Sequence, residues 1–130
     1  MILLDTHIWI WWVQKIDRLS NRQIDIVQSN ESDGLCVSVI SCWEIGKLIE
    51  KRRLDLDSEI RTWITDALSY PGIKLLDFTP QIAIESTQLP GNFHRDPADQ
   101  IIVATSRIFD IPVLTSDKRI LNYPHVKLIQ

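Results

Sequence analysis

The chain has 130 residues, of which 45% are hydrophobic and 4 are glycine, a composition typical of a single folded domain over residues 1–130. A net charge of −3 and a pI of about 5.5 exclude the strongly basic surface of a protein that grips long duplexes. The apolar run at residues 8–13 is too short to cross a bilayer, and no signal-peptide pattern precedes it, so we expect a cytoplasmic protein without a membrane partner. Cys36 and Cys42 lack zinc-site spacing, which predicts two reduced thiols.

Short apolar runs alternate with helical patterns along the chain. In order, the patterns predict strand 1–4, helix 6–14, helix 20–29, strand 35–39, helix 42–53, helix 58–68, strand 73–76, helix 80–88, helix 97–109, strand 111–115, a helical turn at 118–122 and strand 126–129. The expected caps of the first, third and fourth helices are Asp5 or Thr6, Ser41, and Asp57 or Ser58.

This alternation predicts an α/β fold with three layers (α/β/α) and a mainly parallel sheet of about five strands. Right-handed crossovers place every strand-to-helix loop at the carboxyl edge of the sheet, where open α/β folds bind ligands. Asp5 and Asp117 each follow a predicted strand, and Glu44 lies one turn into the helix after another. We therefore expect these three acids at one edge.

Glu44 has an ordinary alternative. On a helical wheel it borders the apolar face formed by Cys42, Ile45, Leu48 and Ile49. A surface ion pair with Lys47 at i+3 would explain an isolated Glu at this position.

The sequence His94-Arg95-Asp96-Pro97-Ala98-Asp99 opens the most apolar helix of the chain. Asp96 suits the N-cap, Pro97 the first helical position and Asp99 the third, because anions there meet free backbone N–H groups and the positive end of the helix dipole. Capping alone accounts better for Asp96 than for Asp99. The role of Asp99 depends on whether other carboxylates converge on it.

Clustered carboxylates need positive charge. Two like charges about 4 Å apart repel by about 4 kcal/mol at an effective dielectric of about 20. Oxygen ligands without His or Cys favour Mg²⁺ or Mn²⁺, and such a cation assists phosphoryl chemistry by lowering the pKa of a water and offsetting charge on the phosphate. The acids therefore indicate a nuclease or a phosphatase.

Four segments, Leu3-Leu4-Asp5-Thr6-His7, Ser38-Val39-Ile40-Ser41-Cys42-Trp43-Glu44-Ile45, His94-Arg95-Asp96-Pro97-Ala98-Asp99-Gln100 and Leu114-Thr115-Ser116-Asp117, together resemble the PIN domain. In particular they resemble the VapC-type toxin ribonucleases of type II toxin–antitoxin pairs. The resemblance implies a metal-dependent endoribonuclease. Asp5, Glu44, Asp99 and Asp117 match the family's acidic quartet, and Asp96 matches an extra acid of this branch. Asp5 and Asp99 would be the main metal ligands.

The resemblance also implies partners. RNA would be the substrate, and a small VapB-like antitoxin would insert a basic tail into the acidic pocket. Gln100 departs from the Arg common at this position, so phosphate contacts are assigned instead to Arg95, Lys47 and Lys118. The chain has five tryptophans, and we expect at least one, such as Trp11 or Trp12, in an apolar groove for a partner helix or a homodimer interface.

Two alternatives remain open at this stage. A receiver-like signalling domain also has this length and carboxyl-edge acids, and Asp77 after the third strand would be its phosphoacceptor. The second alternative is a catalytically inactive PIN-type module that only binds a partner or RNA.

Overall fold

Four parallel strands form the central sheet of the computed structural model, which describes all 130 residues. The strands lie in the order β3-β2-β1-β4 and are β1 (Ile2–Leu4), β2 (Leu35–Ser38), β3 (Ile73–Leu76) and β4 (Val113–Leu114). Leu3 of β1 pairs with Cys36 on one side and with Val113 on the other. The predicted α/β class and parallel sheet are confirmed.

Seven helices surround the sheet: α1 (Thr6–Gln14), α2 (Asn21–Asn30), α3 (Val39–Glu50), α4 (Ile60–Leu68), α5 (Pro80–Thr87), α6 (Pro97–Phe109) and α7 (Lys118–Leu121). Two predicted caps were wrong. Ser38 rather than Ser41 caps α3, and Glu59 caps α4 by accepting from two backbone N–H groups. Ser41 instead lies buried inside α3, where its hydroxyl contacts Thr6.

The predicted fifth strand at 126–129 is reduced to one parallel bridge between Val113 and Leu128. Two hydrogen bonds hold it, from the Val113 N–H to the Lys127 carbonyl and from the Ile129 N–H to the Val113 carbonyl. β4 itself has only two residues, so it offers the C-terminal segment too short an edge for a longer ladder of hydrogen bonds.

Alternate residues of β1 face two different helix layers. Ile2 and Leu4 pack into a core with residues of α1, α2, α3 and α4, including Trp9 and Trp63. Leu3 faces the other way and packs with Ile102 of α6. Strands covered on both faces are continuously apolar, which explains the apolar runs of β1 and β2 in the sequence.

The sheet order excludes the receiver-like alternative. In the doubly wound receiver order 2-1-3-4-5, the third strand lies next to the first. Here β3 is an edge strand separated from β1 by β2. Asp77, which follows β3, is therefore two strands away from Asp5. No helix combines the length and apolar character that a bilayer span needs.

Two glycines provide a test of this packing. Gly72 has φ +86°, its carbonyl accepts from the Leu35 N–H, and a Cβ added there would collide with the Glu31 carbonyl oxygen. Gly72→Ala is expected to lower the free energy of unfolding by about 1–3 kcal/mol, as measured by urea denaturation.

Gly46 lies inside α3, where an added Cβ would be 3.7 Å from Ile60 Cδ1, an ordinary contact distance. Gly46→Ala is expected to raise the free energy of unfolding by roughly 0.5–1 kcal/mol, as measured by urea denaturation.

Candidate active site

Asp5 directly follows β1 and caps α1 with no intervening loop. Its Oδ1 accepts from the Thr6 N–H at 2.8 Å, and its Oδ2 accepts from the Thr115 hydroxyl at 2.6 Å. The residue is 4% exposed. Burial raises the pKa of Asp5, although the hydrogen bonds from Thr115 and Thr6 oppose the rise. The sheet therefore holds a desolvated carboxyl group at its carboxyl edge.

Glu44 is joined to this junction through hydroxyl groups. The Thr6 hydroxyl lies 2.8 Å from the Ser41 hydroxyl and donates to Glu44 Oε1 at 2.5 Å. Burial raises the pKa of Glu44, and the nearby charges of Asp5 and Asp96 act in the same direction. The alternative pair with Lys47 is wrong, because Lys47 Nζ lies 3.5 Å from Glu50 Oε2 instead. Glu44 faces the other acids.

Asp96 and Asp99 bring the start of α6 to the same place. Asp96 caps α6 as predicted, accepting from the Asp99 N–H at 3.1 Å. Asp99 is 5% exposed. One carboxylate oxygen each of Glu44, Asp96 and Asp99 lie within 4.8 Å of one another.

Asp117 approaches from the end of β4. It caps α7, and its own N–H donates to the Thr115 hydroxyl at 3.0 Å. Because the same hydroxyl donates to Asp5, Thr115 joins the two acids. Asp5, Glu44, Asp96, Asp99 and Asp117 are hereafter called the carboxylate cluster.

Burial and the surrounding carboxylates oppose the ionisation of Asp99. Burial raises the pKa of Asp99 to about 8, with further contributions from the charges of Asp5, Asp96, Asp117 and Glu44. A carboxyl group that retains its proton near neutral pH indicates too little positive charge around it. The donors are all carboxylate oxygens, so the cluster fits a hard divalent cation such as Mg²⁺ or Mn²⁺.

Arg119 is the charged residue of this site that the sequence did not predict. Its Nη2 lies 3.1 Å from Asp117 Oδ2 and 3.4 Å from Asp99 Oδ2. Partial burial acts to raise the pKa of Asp117, but the hydrogen bonds and charge of Arg119 outweigh it and hold that pKa below its ordinary value. The available signal was the spacing, since an arginine two residues after a capping Asp can turn its side chain back to the cap.

His94 lies beside Asp99 as a neutral group. Its Nε2 is 2.9 Å from Asp99 Oδ2, off the line of a hydrogen bond, and its Nδ1 accepts from the Asp96 N–H at 3.3 Å. Burial and the charge of Arg119 lower the pKa of His94. Gln100 donates to the His94 carbonyl at 3.1 Å, so it braces this loop rather than contributing charge.

The three predicted phosphate contacts lie outside the cluster. Lys47 stacks over the Trp43 ring at 5.7 Å. Arg95 and Lys118 are exposed and form no ion pair. Arg95 lines a groove of about 540 Å³ with Asn92 and Gln100, between α5 and the start of α6. None of the three contacts a carboxylate of the cluster.

The fold and the cluster together define a class, that of α/β proteins with an acidic site at the carboxyl edge of a parallel sheet. The PIN domain family model matches residues 2–126. The chain is 30% identical to Ribonuclease VapC22 of Mycobacterium tuberculosis over 124 residues, which cover 95% of this chain and 92% of that protein. The chain belongs to the PIN domain family.

Solved structures share this fold at low sequence identity. The VapBC2 structure from Rickettsia felis, bound to a promoter DNA fragment, has a TM-score of 0.73 at 15% identity and covers 99% of this chain and 98% of that one. FitAcB from Neisseria gonorrhoeae has a TM-score of 0.70 at 21% identity, with 100% of this chain and 97% of that one covered. VapC20 of Mycobacterium tuberculosis, described as a toxin that cleaves the sarcin–ricin loop, has a TM-score of 0.63 at 14% identity, with coverage of 98% and 99%.

The raised pKa of Asp99 predicts that the free energy of unfolding of the metal-free protein decreases as the pH rises. Below the ordinary pKa of about 4, Asp99 is neutral whether the chain is folded or not, and its charge costs nothing. As the pH rises from there to about 8, only the unfolded chain releases the proton freely, so stability falls. In EDTA, Asp99→Asn should be more stable than wild type at pH 8 by at least about 1.4 kcal/mol, and this difference should shrink towards pH 4.

Urea denaturation of both proteins across this pH range measures the difference. A difference that stays constant with pH, or a variant less stable than wild type at pH 8, would show that Asp99 acts only as a structural residue of α6.

Proposed function

We propose that the protein is a divalent-metal-dependent endoribonuclease of the VapC type, with Mg²⁺ or Mn²⁺ as its cation and residues 1–130 acting as one PIN-like domain. The observation that carries this proposal is the convergence of five carboxyl groups, from four strand-to-helix or loop-to-helix junctions, onto one site in which Asp5 and Asp99 are buried. The relative named Ribonuclease VapC22 supports RNA as the substrate.

We assign the cation to Asp5 and Asp99, the two most buried acids of the cluster. Glu44 and Asp117 complete the ligand set, directly or through water. A carboxylate oxygen of Asp96 lies within 4.8 Å of oxygens of Asp99 and Glu44, so Asp96 adds negative charge to the site in addition to capping α6. When bound, the cation supplies the positive charge that activates water and offsets charge developing on a phosphodiester.

The chain's own hydroxyl groups orient these ligands. Thr115 fixes Asp5 Oδ2, and Thr6 fixes Glu44 Oε1, so each carboxylate keeps a second lone pair or oxygen for the cation. Preorganisation of this kind reduces the rearrangement that cation binding requires. Phosphate contacts are assigned to Arg95 and Lys118, the two exposed cations nearest in sequence to the cluster, and Lys47 is placed at the periphery of the RNA path.

Mutation of the proposed ligands should abolish cleavage without unfolding the protein. With Mg²⁺ and a structured RNA, Asp5→Asn and Asp99→Asn are expected to reduce the cleavage rate by at least about 10²-fold, since each removes a charge that holds the cation. Asp77→Asn is the matched control. Asp77 also follows a strand, but that strand is β3, which β2 separates from β1 and the cluster. Gel analysis of labelled RNA gives the rates.

The outcomes also separate the inactive-module alternative. If neither the wild-type protein nor the Asp99→Asn variant cleaves RNA in Mg²⁺ or in Mn²⁺, the result would favour a module that only binds a partner or RNA. Equal losses in the Asp77→Asn protein would point to a general effect of removing acidic charge.

We further propose that this protein is the toxin of a type II toxin–antitoxin pair in the cytoplasm, where free Cys36 and Cys42 are stable. A structural relative from Klebsiella pneumoniae, with a TM-score of 0.67, is described as a toxin–antitoxin complex, and VapC20 is described as a toxin. Trp11 lies between two apolar grooves of about 340 and 380 Å³ on α1, and Trp12 lines the second. A helix of a small VapB-like antitoxin would fit there, and a homodimer would cover exposed Trp43, which is 51% exposed.

Growth tests this role. Expression of the wild-type chain alone should slow growth, expression of Asp99→Asn should not, and coexpression of a small antitoxin encoded upstream should restore growth. Growth curves with the three plasmids measure the effect. Unimpaired growth with wild-type protein at a level confirmed by immunoblot would contradict a toxin.

A further inference from the structure

Arg119 is the one Lys or Arg side chain that contacts the carboxylate cluster. It belongs to the first turn of α7, two residues after the N-cap Asp117. Its guanidinium contacts two of the five acids, Asp99 and Asp117. The assignment of the metal ligands does not explain why the guanidinium of Arg119 lies at the cluster in the metal-free protein.

The guanidinium contacts the two acids unequally, and its Nη1 also lies 3.4 Å from His94 Nδ1. Its hold on Asp117 is local and multiple: Nε lies 3.3 Å from Oδ1, Nη2 lies 3.1 Å from Oδ2, and the backbone N–H also donates to Oδ1 at 2.8 Å. Its contact with Asp99 crosses from α7 to α6 and is a single one, at 3.4 Å. The contact with Asp99 is therefore the weaker of the two.

The surroundings allow the contact with Asp99 to break. The Arg119 side chain is 58% exposed, whereas the side chain of Asp99 is 7% exposed. An exposed arginine can turn towards solvent without leaving a cavity, while Asp99 is fixed in the buried first turn of α6. A cation drawn to Asp99 and the guanidinium of Arg119 would repel each other, because both carry positive charge.

We propose that Arg119 competes with the divalent cation for Asp99, and that the guanidinium released by this exchange contacts a phosphate of the RNA substrate. The first step concerns only the protein and the cation, and the second rests on the proposed function. The planar fork of arginine matches two phosphate oxygens and cannot lose its charge near neutral pH. The contact between Arg119 Nε and Asp117 Oδ1 keeps the side chain beside the cluster during the exchange, while Asp117 Oδ2 becomes available to the cation. Arg119 thus supplies the positive charge that Gln100 does not.

The first step is tested without RNA. Mn²⁺ titration of metal-free protein, followed by calorimetry or by the EPR signal of free Mn²⁺, should show binding on the order of tenfold tighter in Arg119→Gln than in wild type. Arg119→Lys, which keeps the charge, should bind Mn²⁺ within about twofold of wild type. Arg61→Gln is the matched control, because Arg61 is exposed on α4 and forms no ion pair.

Circular dichroism establishes that each variant is folded before titration. A folded Arg119→Gln protein that binds Mn²⁺ no more tightly than wild type overturns the proposal. The same result overturns it whether or not the protein cleaves RNA, so this failure is distinct from a failure of the proposed ribonuclease activity.

The second step is tested at saturating Mn²⁺, where differences in cation affinity no longer matter. Arg119→Gln and Arg119→Lys should both raise KM for RNA, by on the order of tenfold for Gln, while kcat stays within about threefold. The dependence of log KM on log salt should fall by about 0.7 in Arg119→Gln, the value for one lost contact to single-stranded phosphate. An unchanged KM and salt dependence overturns the phosphate contact.

Discussion

Crowding of negative charge at one edge of the sheet is the constraint on which the rest of this structure depends. Three members of the carboxylate cluster, Asp5, Asp96 and Asp117, are N-caps of α1, α6 and α7. The positive ends of three helix dipoles and their free N–H groups therefore face the cluster. This partial positive charge offsets some of the repulsion, and the raised pKa of Asp99 shows that it does not offset all of it.

Capping and cation binding are consequently not competing explanations for these acids. The cap of α6 uses one carboxylate oxygen of Asp96, which accepts from the Asp99 N–H, and the second oxygen remains for a cation. The cap also fixes the carboxylate relative to the backbone, so the helix start positions the side chain that the site needs. The local signals at the starts of α1 and α6, Asp5 and Asp96, were therefore correct, and they also contained the signal of the site.

The alternation of apolar runs and helical patterns was sufficient to predict the α/β fold, because β1 and β2 are buried on both faces and read as continuous apolar segments. Helix starts were less predictable. Ser38 and Ser41 are equally good capping residues by type, and only the register of α3 against α1 decides which one is free to bond with Thr6. The edge position of β3 was also beyond sequence reasoning, because strand order depends on long-range pairing.

The acids of the site were predictable, but the groups that connect them were not. Thr6, Ser41 and Thr115 are ordinary polar residues in sequence, and their importance comes from hydrogen bonds across 35 to 110 residues. Arg119 was missed for a related reason. Basic residues are numerous on the surface, and only the turn of α7 brings this one back over Asp99. The predicted contacts Lys47, Lys118 and Arg95 had the right charge but lacked that geometry.

The junction between β1 and α1 consists of Asp5 alone, and α3 follows β2 with no intervening residue. Insertions at either point would move a carboxylate out of the cluster, so these two connections cannot accommodate variation. The segment between α5 and Asp96, residues 88–95, is longer and leads to the acids at the start of α6. Diversification of target choice among proteins of this architecture is therefore expected to concentrate in that segment, and grafting it between homologues offers a way to redirect such a protein while its acidic centre is preserved.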